Sequence, residues 1–142
     1  MKNLFLYLFL SLSASSFAQN WNFDLEQAKT KAQKEQKEIL LVFSGSDWCA
    51  PCIKLDQEIW QSEEFKSYAK DKLVLLKADF PKRKNNRLPV EQQQKNNLLA
   101  EQYNPNGHFP FVVLLNANGE VVNQLGYKNL SPVKYIQAIY GK

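Results

Sequence analysis

The chain of 142 residues carries a formal net charge of +4, with 44% hydrophobic, 13% aromatic and 23% charged residues. That length fits one domain with a real apolar core. The mild basic excess falls far short of the dense Lys/Arg footprint of a nucleic-acid binder, so no nucleic-acid partner is expected.

The first segment reads as an export signal rather than part of the fold. Lys2 supplies a positive start, Leu4 to Leu12 ("LFLYLFLSL") a short apolar run, and Ser16-Phe17-Ala18 a small-x-small cleavage site. A spanning helix needs about 20 apolar residues, and Ser11, Ser13, Ser15 and Ser16 break this run early. The pattern predicts a cleaved signal peptide over 1–18, a single domain over 19–142 and no stable membrane insertion. With no cysteine in the signal, a lipid anchor is not expected. Outside the cytosol, disulfides persist.

"DLEQAKTKAQKEQKE" (Asp24 to Glu38) reads as a surface helix. Asp24 is a good N-cap, Gln27 completes a capping box, and Leu25, Ala28 and Ala32 form a narrow apolar stripe. "ILLVFSG" (Ile39 to Gly45) is a short continuous apolar run ended by glycine, the pattern of a buried strand. From Ala50 to Trp60 the pattern turns helical, with Ile53, Leu55, Ile59 and Trp60 apolar. Ser62 can cap a further helix through Lys70, and "KLVLLKAD" (Lys72 to Asp79) is a second strand. This opening is a βαβ unit.

"PKRKNNRLP" (Pro81 to Pro89) reads as a solvated basic excursion, with an acidic-partner site as the sharper alternative. Val90 to Asn104 reads as a helix. Phe109 to Leu115, the turn "NANG" (Asn116 to Gly119) and Glu120 to Gly126 form a hairpin. Ser131 as N-cap and Pro132 at the first helical position open a last helix to about Tyr140. Trp21, Trp60, Phe65 and Tyr68 read as core or near-core residues.

Cys49 and Cys52 are the only cysteines, and they sit at the strand-to-helix junction. A zinc site usually takes four ligands, and two cysteines with the single His108 do not supply them. A structural staple across four residues gives about 2 kcal/mol in the loop-entropy model, less than a long-range bridge. A reactive dithiol explains the position best. A helix N-terminus presents free N–H groups and partial positive charge, which lower a thiol's pKa. Cys49 would then be the more exposed, attacking sulfur, and Cys52 the resolving one. Pro51 suits the first helical turn. No cofactor or metal is expected.

At "WCAPC" the chain resembles the thioredoxin signature, with Trp48, Cys49, Pro51, Cys52 and Lys54 matching and Ala50 in place of glycine. "LVFSGSDWCAPCIKLD" is similar to the exported thiol–disulfide proteins of bacteria. The resemblance implies an α/β thioredoxin fold: a central mixed β-sheet flanked by helices on both faces. In "GHFPFVVLLNANGEVV", Pro110 falls where thioredoxins carry a cis-proline beside the active-site disulfide. An X-Pro bond is where the cis form is cheap. Phe109 would offer its backbone to an extended substrate chain, and Trp48 would line the same groove. The implied activity is exported thiol–disulfide exchange with protein thiols and disulfides, leaning to reductase through Ala50-Pro51. The alternatives are a disulfide-donating oxidase, a peroxidase and a non-catalytic binding module. A reductase outside the cytosol needs a membrane or periplasmic redox partner. A monomer in the periplasm, or secreted, is expected.

This sequence also departs from the family. Thioredoxins bury an aspartate six residues before the first cysteine; Phe43 stands there. Asp47, Asp56, Glu58 and Asp79 are candidate substitutes. Lys77 lies near a family lysine but reads as a strand-end surface residue. His108 reads as a surface or gating group rather than a base. Cytosolic thioredoxins lack the 81–89 insertion.

Overall fold

The computed structural model describes residues 19–142, so the signal peptide expected over 1–18 lies outside the described residues. Five strands form one sheet: β1 (Trp21–Asn22), β2 (Glu38–Ser44), β3 (Leu73–Asp79), β4 (Phe111–Leu115) and β5 (Val121–Leu125). Among the described residues, five α-helices accompany them: α1 (Leu25–Glu35), α2 (Ala50–Leu55), α3 (Glu63–Lys72), α4 (Val90–Tyr103) and α5 (Pro132–Ile139).

The spatial order is β1-β3-β2-β4-β5. β3 runs parallel to both β1 and β2, whereas β4 is antiparallel to β2 and to β5. The expected mixed sheet is therefore present, with β2 at its centre. Ile39, Leu40, Leu41, Val42 and Phe43 are all at most 1% exposed, because both sheet faces are covered. Ile39, Leu41 and Phe43 pack with Ala28, Ala32, Leu99 and Tyr103 from α1 and α4. Leu40 and Val42 pack on the other face with Leu55, Phe65 and Tyr135 from α2, α3 and α5.

Local chemistry sets the element ends. Asp24, Ser62 and Ser131 each accept a backbone N–H from three residues on, at 2.9, 3.2 and 3.4 Å. Asp24 supplies this half of the expected capping box, and its other oxygen meets Lys95 at 2.9 Å. α1 stops at Glu35 rather than Glu38 because Gln36 turns left-handed, with φ 55°.

Other features also differ from expectation. β1 adds a short parallel edge through the pairs Trp21↔Leu75 and Asn22↔Leu76. The helix after the cysteines changes from α to a π-helical turn over Asp56–Trp60. β4 begins at Phe111, leaving Phe109 and Pro110 in the preceding loop. A single 3-10 turn, Lys84–Asn86, forms inside the basic loop. The aromatic core is as expected. Trp60 meets Phe65 at 4.7 Å, Tyr135 at 5.6 Å and the half-buried Trp21 at 6.3 Å. Tyr68 is partly buried against the same cluster.

Candidate active site

β2 delivers the chain to the carboxyl end of the sheet, where Gly45 begins a turn. The N–H groups of Trp48 and Cys49 both return to the Gly45 carbonyl, at 3.3 and 2.9 Å. This turn places Cys49 at the N-cap of α2, with extended backbone (φ −93°, ψ 100°). Cys49 Sγ accepts the Cys52 backbone N–H at 3.3 Å, the bond that a serine or aspartate cap would make. Ala50 and Pro51 fill the exposed first turn.

Cys49 and Cys52 are joined in a disulfide, with their Cα atoms 5.2 Å apart. The Gly45 N–H reaches Cys52 Sγ at 3.5 Å. The two cysteines are 4% and 3% exposed, so the expected difference in exposure does not appear in this oxidised form.

The Phe109–Pro110 peptide bond is cis, as the resemblance implies, and Pro110 is buried. Asn104 shapes this loop from the end of α4. Its amide donates to the His108 carbonyl at 2.8 Å and its oxygen accepts the His108 N–H at 3.0 Å. Asn104 is only 3% exposed. His108 itself is exposed, its ring 5.9 Å from Phe111.

Trp48 and Phe109 come together as expected, edge to face at 5.4 Å. A third ring that the sequence reading did not single out, Phe80, meets Phe109 at 5.5 Å. The Trp48 indole N–H donates to the Phe80 carbonyl at 2.7 Å. Trp48 stays 39% exposed at the rim. Its indole also lies over Gly45, where an added Cβ would overlap the ring.

The basic loop is solvated, as expected, and the structure adds an anchor that the reading did not foresee. Its residues from Lys82 to Arg87 are exposed, but its backbone is anchored to the active-site turn. The Asp47 carboxylate accepts the N–H groups of Lys82 and Arg83, both at 2.9 Å, and the Asn86 amide at 3.0 Å. The Lys82 bond foremost, with the Asn86 and Arg83 bonds, holds the Asp47 carboxyl below its usual range. Lys82 lays its ammonium over the Trp48 ring at 3.9 Å.

Phe43 is fully buried, its ring 6.4 Å from Phe111. Of the candidate substitutes for the family's aspartate, Asp47 is committed to the loop and Asp79 to Ser46, at 2.6 and 3.0 Å. Asp56 accepts from Gln61 at 3.4 Å, and Glu58 lies 3.9 Å from Lys54. Among the described residues, no carboxylate hydrogen-bonds to either sulfur. Lys77 is half-buried within β3 rather than at its end, its ammonium 4.3 Å over Trp21. Among the described residues, no cluster of His, Cys, Asp and Glu suits a metal ion, and no helix is long and apolar enough to cross a membrane.

A CxxC disulfide at a strand–helix junction, set in this sheet with a cis-proline loop, defines the architecture of a thiol–disulfide oxidoreductase. The profile of the thioredoxin-like family matches residues 20–117, and the chain belongs to that family. Two curated relatives come from Chlamydia pneumoniae. The chain is 37% identical over 113 residues to "Disulfide bond reductase DsbH", covering 80% of this chain and 66% of that protein. It is 29% identical over 106 residues to "Thioredoxin-related protein DsbJ", covering 75% of this chain but only 30% of the relative. The chain thus spans just under two thirds of one curated relative and under a third of the other. Among solved structures, "DsbH Oxidoreductase" matches with a TM-score of 0.78 and 34% identity, over 86% of this chain and 82% of that one.

Proposed function

We propose that this protein is an exported thiol–disulfide oxidoreductase that works as a reductase of protein disulfides. The exchange chemistry rests on the Cys52 N–H pointing at Cys49 Sγ; the reductase direction rests on the likeness to the DsbH relative. When the disulfide is opened, that donor meets a thiolate, and a charged acceptor strengthens the bond. The Cys49 thiolate is thereby favoured at neutral pH.

The reduced Cys49 thiolate attacks one sulfur of the substrate's disulfide. A mixed disulfide forms and the first substrate thiolate leaves. Cys52 then loses its proton and attacks Cys49 Sγ, which releases the second substrate thiolate and closes the Cys49–Cys52 bond. Two electrons pass to the substrate, whose two thiolates take up protons. Trp48, Phe109 and Pro110 form the docking rim, with the backbone beside Pro110 receiving an extended substrate segment. With Phe43 at the family's acid position, Asp47 committed to the loop and Asp79 to Ser46, water is the acceptor we assign for the Cys52 proton.

The name of the DsbH relative supports the reductase direction. Export rests on the charged start, apolar run and cleavage site within 1–18, and it requires an electron donor at the membrane or in the periplasm.

Equilibration of residues 19–142 in graded thiol buffers tests the direction. A potential near −270 mV, about that of thioredoxin, is expected. A value near −120 mV, about that of a strong disulfide donor, would instead mark an oxidase. Cys49→Ser should abolish exchange and Cys52→Ser should trap mixed disulfides. Partner binding that survives replacement of both cysteines by alanine, with no reversible couple, would mark a binding module.

A further inference from the structure

The loop "PKRKNNRLP" holds four cations, Lys82, Arg83, Lys84 and Arg87, and no acid. All four are exposed. Among the described residues, none of them has a carboxylate partner within salt-bridge distance. The nearby acids are engaged elsewhere. Asp47 is bound to backbone and amide N–H groups, although Arg83 lies in its field. Asp79 is bound to Ser46 and Glu91 faces Lys95 at 3.7 Å.

The position of this charge is built into the fold. Asp47, two residues before Cys49, fixes the start of the loop. The Trp48 indole, adjacent to Cys49, is bonded to Phe80 and covered by Lys82. Beyond Pro81, a groove of about 430 Å³ runs between the loop and α4, lined by Arg87, Leu88, Val90 and Gln93 among others. A chain leaving the Phe109 rim past Trp48 therefore meets Lys82 and the cation cluster of the anchored loop, with the shallow groove on its far side. A one-signed cluster carried on an anchored backbone raises the encounter rate of oppositely charged partners.

We propose that the 81–89 loop selects disulfide substrates whose cysteines are flanked by Asp or Glu, with Arg83, Lys84 and Arg87 as the specificity-determining side chains. The inference rests on the reductase reading and names the substrate class of that site.

The test uses the protein over 19–142, reduced and freed of excess thiol, mixed in single turnover with three disulfide-bridged peptides. The peptides are identical except for acidic, neutral or basic residues beside the cysteines. At low ionic strength the acidic peptide should react about tenfold faster than the neutral one, and the basic peptide slower still. In the wild type that preference should shrink as salt is raised. In R83Q/K84Q/R87Q, the acidic-to-neutral ratio should fall towards one. Equal rates for all three peptides in the wild type, or an unchanged ratio in the triple variant, would overturn the selection and leave the reductase standing. If the wild type reduces none of the peptides, the reductase reading falls and this inference falls with it. Salt dependence in the wild type reads the effect without any substitution.

Discussion

The indole N–H of Trp48 donates to the carbonyl of Phe80 at 2.7 Å, tying the turn before the dithiol to the chain leaving β3. Thirty-two residues separate the two partners. The exposed ring beside Cys49 is thus oriented by the sheet, not by its own loop.

Gly45 allows this placement. A side chain there would overlap the Trp48 ring, and forced overpacking costs roughly 1–3 kcal/mol. Gly45→Ala should lower the urea midpoint and expel Trp48 from its bond to Phe80, visible as a shift in tryptophan emission. Unchanged stability and emission would show that the indole is not held against Gly45.

Asp47 makes the loop anchor sensitive to acid. Its carboxyl is held below the usual 3.8, first by the Lys82 N–H. A depressed pKa means the charged form is preferred when folded. The anchoring is therefore complete above 3.8 and is lost as the pH falls through the lower folded value. In amide spectra followed against pH, the Lys82 and Arg83 N–H signals should titrate with a midpoint below 3.8. A midpoint at or above that value would contradict the anchor. At neutral pH, Asp47→Ala should release the loop and speed tryptic cleavage after its lysines and arginines.

Asn104 bonds both polar groups of the His108 backbone from a buried position. Asn104→Ala removes both partners at once, and a hydrogen bond of this kind contributes a net of about 0.5–1.5 kcal/mol. We expect a loss of about 1–3 kcal/mol in urea unfolding and slower exchange, because the loop bearing Pro110 is freed. A variant as stable and active as the parent would show that water replaces the amide without penalty.

Phe43 invites the reverse substitution. Phe43→Asp restores the family's residue type in a fully apolar setting among Leu41, Ala78 and Val113. Truncating a buried phenylalanine costs about 3–5 kcal/mol before any charge is considered. The variant should be severely destabilised, and calorimetry would show it. Native-like stability with faster resolution by Cys52 would mean that the site was prepared for an acid.

Strong local signals carried most of the fold. The unbroken run Ile39 to Phe43 marked a strand covered on both faces, and Ser62, Ser131 and Pro132 marked helix starts within a residue or two. The dithiol and Pro110 were legible because their chemistry is confined to few residue types. What escaped the reading depends on distance in the chain or on very short patterns. β1 offers two residues, too few for any alternation to register. The π-helical turn over Asp56–Trp60 has the same apolar residues that an α-helix would place inward. The loop read rightly as solvated, but its anchor went unseen, because the group that fixes it, Asp47, lies 35 positions earlier. Asn96, whose amide donates to the Asp79 carbonyl at 2.9 Å, left a faint trace. Asn96 shares the buried stripe of α4 with Leu99 and Tyr103, a polar residue where packing alone would favour an apolar one.

β2 pairs along its whole length with β3 and over five residues with β4, and its side chains from Ile39 to Phe43 are sealed on both faces. Segments of this kind open only with the molecule as a whole. The two sulfurs therefore ride on the end of the part of the protein that yields last. Electrons can enter and leave at its tip while the scaffold beneath keeps still, so each cycle returns the reacting pair to the same address.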